Sequence, residues 1–478
     1  MDGRETTPGS EPPPRARPAS PGGPGGISRR GVLKAGLAAG AAAGVGAWRG
    51  TPPAVAAQRV PGLRRPGSRP FPDRPAGTDM LPQIEHIVVL MMENHSYDNK
   101  LGMLRRRGAD GFRIGPGGTP TAVNPYADGD LQHAFRMPTT CQESGHPAQD
   151  WLDSHISYAG GRNNGFVISG SGPVSMGYWE GADQPFYYSL AATFPIADRY
   201  FCSVLGQTYP NRRYLLAATS IGQVDDTVPG LTDYPANGTI FDEFNAHGIT
   251  WKDYFSTTPS VLLYPPLYFQ NLTKIVPIAD FFADAAAGTL PGYCLVEPDY
   301  GNTSEENPQN IAEGEAFAAK VIDAVMTGPK WGSTLLVWTY DEHGGYYDHV
   351  PPPPAVPPDS IPPDVPAGQG SAYDGFGRYG FRVPCAVVSP WARRNYVSHR
   401  VFDHTSILKL AETKWNLPAL TFRDASAASL LDLVDLRRPS FARPPALARP
   451  LLDTDSGALA CNVNGPGAIP PPGSVTPG

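Results

Sequence analysis

The residues best placed to do chemistry are Asp341, Glu342 and His343, which stand directly after the apolar run Leu335–Trp338 and directly before Gly344 and Gly345. Two adjacent carboxylates at the end of a buried strand repel unless solvated or bridged by a cation, so a divalent metal is the economical partner. The glycines permit a tight turn beside it, and Asp348 and His349 return one loop later as a second titratable pair. The alternative is a solvated hairpin whose charges are incidental.

A second stretch repeats this arrangement. Ile87–Met92 is an apolar run of strand length that ends in Glu93, Asn94, His95, Ser96, Tyr97 and Asp98. A carboxylate beside an amide suits a cation site that also needs a donor, with the Asn94 NH2 free to meet a substrate oxygen. Taken alone, the same residues also read as a capped turn opening a helix, with Ser96 or Asp98 as the cap.

Thr208 is the candidate nucleophile. Pro210 reads as the first residue of a helix, which places Thr208 just outside its N-terminus, where unpaired N–H groups and the positive end of the helix dipole favour a phosphate. A threonine hydroxyl there, beside a metal that lowers its pKa, can attack phosphorus, and Arg212 stands close enough to balance charge. An ordinary helix cap explains Thr208 equally well at this level. His146 and His155, between Gly145 and Phe166, are weaker candidates, because a lone histidine is more often structural.

The elements that must position these groups read as alternating strands and helices. Residues 292–297 and 381–394 are further apolar strands, the first ending in Glu297. Residues 238–248 and 311–326 have helical patterning, and Asp403 or Thr405 caps a helix with Ile407, Leu408 and Leu410 on its apolar side. At least three strands thus end in oxygen or nitrogen ligands and one helix begins with a hydroxyl, an α/β arrangement with ligands at the strand ends. The proline-rich segment from Val350 to Pro366 leaves this region as a stiff loop.

Composition limits the partners. The 478 residues are 41% hydrophobic and 17% charged, as in a soluble globular protein, and the 53 glycines and 55 prolines gather largely in the tails and one loop. The first 57 residues hold seven Lys/Arg and three Asp/Glu, which leaves 31 basic and 42 acidic residues in the rest, so nucleic acid is excluded as a partner. Those 57 residues resemble a twin-arginine signal: Ser28-Arg29-Arg30, an Ala/Gly-rich run from Gly36 to Trp48, then small residues at 54–57. This predicts export by the twin-arginine machinery to a secreted or envelope location. Residues 58–80 are expected to be a linker, 81–440 the catalytic domain, and 441–478 a partly disordered Gly/Pro tail. Five cysteines allow at most two disulfides, and their pairing stays open.

The segments IEHIVVLMMENHSYDN, GQTYPNRRYLL, EPDY, TYDEHGGYYDHVPPP and VSPWARRNYVSHRVFDHTSILKLAE, in this order across residues 84–416, resemble the phosphoesterase family of bacterial and plant non-specific phospholipases C and related acid phosphatases. The resemblance implies an alkaline-phosphatase-like α/β/α sandwich with a mostly parallel central sheet and a divalent metal, Ca, Mg, Mn or Zn, at the strand ends. It implies Glu93, Asn94, Thr208, Asp341 and Glu342 as metal-site residues, Thr208 as nucleophile, and Asn94, His146 and His349 as catalytic partners. Arg212, Asn307 and His343 fall on the substrate side. The implied substrate is a phospholipid or small phosphate ester, with transient contact to a membrane surface. A phosphomonoesterase and a non-catalytic metal- or phosphate-binding protein are the alternatives on the same scaffold. This chain departs from the family pattern at Glu306-Asn307-Pro308, where the phospholipases commonly read Asp-x-His-Pro. An asparagine donates a hydrogen bond but is no acid near neutral pH, so the expectation is altered leaving-group protonation or an altered pH optimum.

Overall fold

A computed structural model describes residues 63–142, 147–452, 465 and 467–472. The proposed signal and His146 lie outside the described residues. The central sheet has eight strands: β1 (His86–Met92), β2 (Ile196–Ala197), β3 (Trp251–Phe255), β4 (Ile275–Pro277), β5 (Tyr293–Val296), β6 (Thr334–Tyr340), β7 (Cys385–Val388) and β8 (Val397–Ser398), in the order β8-β2-β7-β6-β1-β5-β3-β4. Every neighbouring pair is parallel except the two made by β7. The expected mixed α/β fold with a mostly parallel sheet is what the chain adopts.

The sheet centre follows from composition. β1 and β6 are seven-residue runs in which every residue is buried, the continuous apolar pattern of strands covered on both faces. At such a position a change like Leu336→Ala costs about 2–5 kcal/mol. The helices are α1 (Tyr97–Leu101), α2 (Trp151–Tyr158), α3 (Pro185–Thr193), α4 (Thr208–Ala217), α5 (Ile240–Ala246), α6 (Pro265–Gln270), α7 (Ile278–Ala287), α8 (Ile311–Thr327), α9 (His404–Trp415) and α10 (Phe422–Ser426). α8 packs on β1, β6, α3 and α7, whereas α4, α5, α9 and α10 form a second group. Asn310 caps α8 by accepting from Ala312 N, and the buried face of the helix holds Ile311, Ala318, Val321, Ile322 and Val325. Residues 63–80 are tied to the end of α9: the Asn416 amide donates to the carbonyls of Phe71, Arg74 and Pro75, and Lys414 pairs with Asp79. Cys141 is disulfide-bonded, while Cys202, Cys294 and Cys385 are free and buried.

Candidate active site

Strand order brings the acidic residues together. Met92 of β1 lies opposite Tyr340 of β6, so Glu93 and Asp341, the next residues, leave the sheet side by side. On the other side of β1, Val296 of β5 pairs with Leu90 and delivers Glu297 one position later. All three carboxylates meet the guanidinium of Arg212, one turn into α4. Arg212 Nε donates to Asp341 Oδ2 at 3.0 Å, an Nη donates to Glu297 Oε2 at 2.9 Å, and Glu93 Oε1 lies 3.8 Å away. Arg212 is therefore committed to protein carboxylates, a different use from the phosphate contact expected of it.

The turn after β6 is fixed by close approach. Gly344 and Gly345 have φ of +66° and +75°, and a Cβ on Gly344 would fall 1.8 Å from the Asn94 carbonyl oxygen. The loops after β1 and β6 then run together: Ser96 Oγ donates to Tyr347 O at 2.6 Å, and His349 N donates to Asp98 Oδ2 at 2.8 Å. Ser96 also caps α1 by accepting from Asn99 N, so the helix-cap reading of that stretch holds for Ser96 and leaves Glu93 and Asn94 outside the cap.

Thr208 is the first residue of α4, two positions earlier than the proline implied. The N-cap position belongs to Gln207, whose side chain makes no capping bond, while the Thr208 hydroxyl points to Asn94 Oδ1 at 3.4 Å. The hydroxyl is thus turned toward the strand ends and away from capping. The open amides expected at this helix end are few: Pro210 has none and Tyr209 N donates to Asp226 at 2.7 Å.

The charges of this pole do not balance. Glu93, Glu297 and Asp341 are buried around the single guanidinium of Arg212, and Glu342, also buried, adds a fourth carboxyl next to Asp341 with no ion pair to that guanidinium among the described residues. Burial pushes the Asp341 carboxyl up to about 8 against the pull of Arg212, and the charge of Glu93 adds to the rise. Burial, then the Asp341 charge, raises Glu342 well above the carboxylate range. Glu342 Oε2 accepts from Gly344 N at 2.8 Å, but its Oε1 and the Asn94 Nδ2 are buried with no hydrogen-bond partner among the described residues. A divalent cation would supply the missing charge and occupy the unpartnered oxygen, so the residues present fit a metal. His343 is held neutral by burial, which lowers it to about 3. Its Nδ1 sits 3.2 Å from Glu342 Oε2 without hydrogen-bond geometry.

Asp98, Asp348 and His349 form a second group, whose ligand atoms lie within 4.8 Å of one another and which could also hold a metal. Arg382 already occupies it, donating to Asp98 Oδ1 at 3.0 Å and to Asp348 Oδ1 at 2.9 Å. His349 Nδ1 sits 2.7 Å from Asp98 Oδ2 and Nε2 3.3 Å from Asp110 Oδ1. Burial disfavours its charge, but these two carboxylates outweigh that and raise it to about 10, making it an imidazolium at neutral pH. Asn307 occupies a third place, accepting from the Tyr346 hydroxyl at 2.9 Å, with the Tyr346 ring stacked on His95. His155 stacks on Tyr373 at 3.9 Å, away from all three groups.

From sequence, Glu297 was seen only as a strand end and was not placed in the site, and His404 was missed. Glu297 carried the same signal as Glu93, a carboxylate at a strand end. His404 opens α9 and places Nε2 2.6 Å from the Asp341 carbonyl oxygen, bracing the turn, and nothing local in the sequence shows that reach.

The family model of the phosphoesterase family matches residues 84–418. Non-specific phospholipase C6 of Arabidopsis thaliana is 31% identical over 389 residues, 73% of this chain and 72% of the relative. Phospholipase C B of Mycobacterium tuberculosis strain H37Rv is 31% identical over 429 residues, 78% of this chain and 81% of the relative. Among solved structures, a protein in the alkaline phosphatase superfamily from Vibrio parahaemolyticus aligns with a TM-score of 0.33 at 11% identity, over 61% of this chain and 72% of that one. The matched span runs from the approach to β1 through the end of α9 and takes in all eight strands of the central sheet and the head of α4, so this chain belongs to the phosphoesterase family.

Proposed function

We propose that this protein is an exported, metal-dependent phosphoesterase that cleaves phosphodiesters in the manner of a phospholipase C, through a phosphothreonine at Thr208. The observation that carries the reading is the Thr208 hydroxyl at the head of α4, turned to Asn94 within a pole of four buried carboxylates that has only Arg212 to balance them among the described residues. The names of the relatives, phospholipases C from a plant and a bacterium, favour a phospholipid diester as substrate.

Glu93, Asn94, Asp341 and Glu342 would hold the metal with Thr208. When bound, the metal lowers the pKa of the hydroxyl and offsets charge on the phosphoryl oxygens. Thr208 Oγ attacks phosphorus and loses its proton, and the bond from phosphorus to the glycerol oxygen breaks, so that oxygen leaves with a proton as the diacylglycerol alcohol. Water then attacks the phosphothreonine and frees the phosphorylated head group and the hydroxyl. Asn94 Nδ2 and the His343 ring are the unpartnered groups left to meet phosphoryl oxygens. Arg212 positions Asp341 and Glu297. His349, an imidazolium at neutral pH, enters as a proton donor, and His146 keeps the phosphate or proton role implied by the family. Asn307 supports Tyr346 and supplies no proton. Export fits the twin arginines at 29 and 30 and the disulfide at Cys141, since such bonds persist in oxidising compartments.

The test is hydrolysis of p-nitrophenyl phosphorylcholine and of p-nitrophenyl phosphate, each with and without chelator. The reading expects faster, chelator-sensitive turnover of the diester. Preference for the monoester would make the protein a phosphatase, and no turnover of either would make it a binding protein.

A further inference from the structure

Two loops beside the Thr208 helix carry large apolar side chains outward. In the loop after α4, Val228 is 49% and Leu231 66% exposed; in the segment from 350 to 380, Ile361 and Tyr373 are about half exposed. These loops are built into one platform. Trp151, Val204, Tyr214, Val224 and Phe376 form a small core of their own beneath them, with Val365 packed against it. Gln223 bridges to Asp364, whose N–H donates to Gly222 O at 2.8 Å, and Trp151 Nε1 donates to Ser371 O at 2.8 Å. The platform abuts the nucleophile's own turn: a Cβ on Gly206 would meet Val224 O at 3.2 Å and the Trp151 ring at 3.8 Å. Asp226 N donates to Gln207 Oε1, and Asp226 holds Tyr209 N. Val228 and Leu231 thus follow directly on a residue clamped to both neighbours of Thr208.

Charge selects the surface these residues can meet. Residues 221–239 and 350–380 together contain six aspartates and one arginine. Asp233 pairs with Arg213 and Asp374 with Arg378, whereas Asp225, Asp359 and Asp364 make no ion pair among the described residues. An anionic bilayer would be repelled by such a rim, while a zwitterionic one presents its cationic groups outermost. We propose that Val228, Leu231, Ile361 and Tyr373 form a docking rim that inserts into a zwitterionic phospholipid surface and delivers lipid from that surface to Thr208. Val228, Leu231 and Ile361 enter the acyl boundary, while Tyr373, its ring stacked on His155, offers a flat aromatic face at the head-group level. The inference rests on the phospholipid reading above and names the surface from which the substrate comes.

Flotation of the full chain with vesicles of phosphatidylcholine or of phosphatidylglycerol tests the docking without any turnover. Hydrolysis of soluble p-nitrophenyl phosphorylcholine separately tests the catalytic reading. The variant Val228→Ser/Leu231→Ser/Ile361→Ser/Tyr373→Ser should bind phosphatidylcholine vesicles at least tenfold more weakly, keep its melting temperature and keep turnover of the soluble ester. Phe269→Ser/Leu272→Ser, an equally exposed apolar pair next to β4, should bind as the parent does. The proposal is overturned if the parent binds no vesicles, if it binds phosphatidylglycerol as tightly, or if the rim variant binds unchanged. Light scattering that shows a parent dimer dispersed by the rim substitutions would assign the rim to a second copy of the chain and overturn it equally.

Discussion

The pole around Arg212 and the group around Arg382 are made of the same parts, buried carboxylates gathered on a buried guanidinium, yet they are suited to different work. Around Arg382, the imidazolium of His349 and the guanidinium of Arg199, which pairs with Asp110, match Asp98, Asp110 and Asp348 charge for charge. Around Arg212, one cation faces three carboxylates with Glu342 buried as a fourth beside Asp341, and an oxygen of Glu342 and the nitrogen of Asn94 lack partners among the described residues. The first is charge-balanced and locks the loops after β1 and β6 together, with His349 held on it. The second is short of positive charge. Proximity of ligand atoms picks the Arg382 group, and charge balance picks the Arg212 pole; the proposed function follows balance, because a site already neutralised by guanidinium gains little from a metal.

The comparison can be broken most directly by amide substitutions. Asp341→Asn or Glu342→Gln should lose bound metal and at least a thousandfold in turnover, whereas Asp348→Asn should keep its metal, read by elemental analysis of the purified proteins. Metal lost from the Asp348 variant and kept in the Asp341 variant would reverse the assignment. Next in size, Arg382→Met strands Asp98 and Asp348 as buried charges. It should cost about 3–5 kcal/mol in urea unfolding without changing metal stoichiometry.

Protons sharpen the contrast further. Asp341 is raised to about 8 in the fold from an ordinary unfolded value near 4, so the native metal-free state binds the extra proton and loses stability as pH rises through that window. Added metal should therefore raise the melting temperature more at pH 8 than at pH 5.5, with affinity falling as pH drops below 8. His349 has the opposite sign: its contribution is complete below its unfolded value near 6.5 and is lost as pH rises through about 10. His349→Gln should cost about 1–2 kcal/mol at pH 6 and progressively less toward pH 10, measured by denaturant unfolding.

The candidate metal pole was legible because its parts are local. Glu93-Asn94 and Asp341-Glu342 each follow an apolar run, and a strand that ends in ligands announces itself within ten residues. What joins them was not legible, since neighbourhood in a sheet depends on strand order. That β5, β1 and β6 are adjacent decides that Glu297, Glu93 and Asp341 share Arg212. Arg382 is likewise far in sequence from the aspartates it binds, and no pattern near it marks that use. Thr208 shows both limits: its residue type and the nearby proline were informative, but cap and nucleophile differ only in where the hydroxyl points.

That direction is open to one decisive measurement. Parent enzyme turning over a phospholipid should be quenched in acid within one turnover, and its peptides weighed by mass spectrometry. The account predicts a Thr208 that carries the phosphorylated head group, phosphocholine when phosphatidylcholine is the substrate, and that is unmodified after metal removal, together with a Thr208→Ala variant at least a thousandfold slower that still folds and binds metal. A Thr208→Ala protein hydrolysing substrate near the parent rate, with no phosphorylated peptide in the parent, would contradict it.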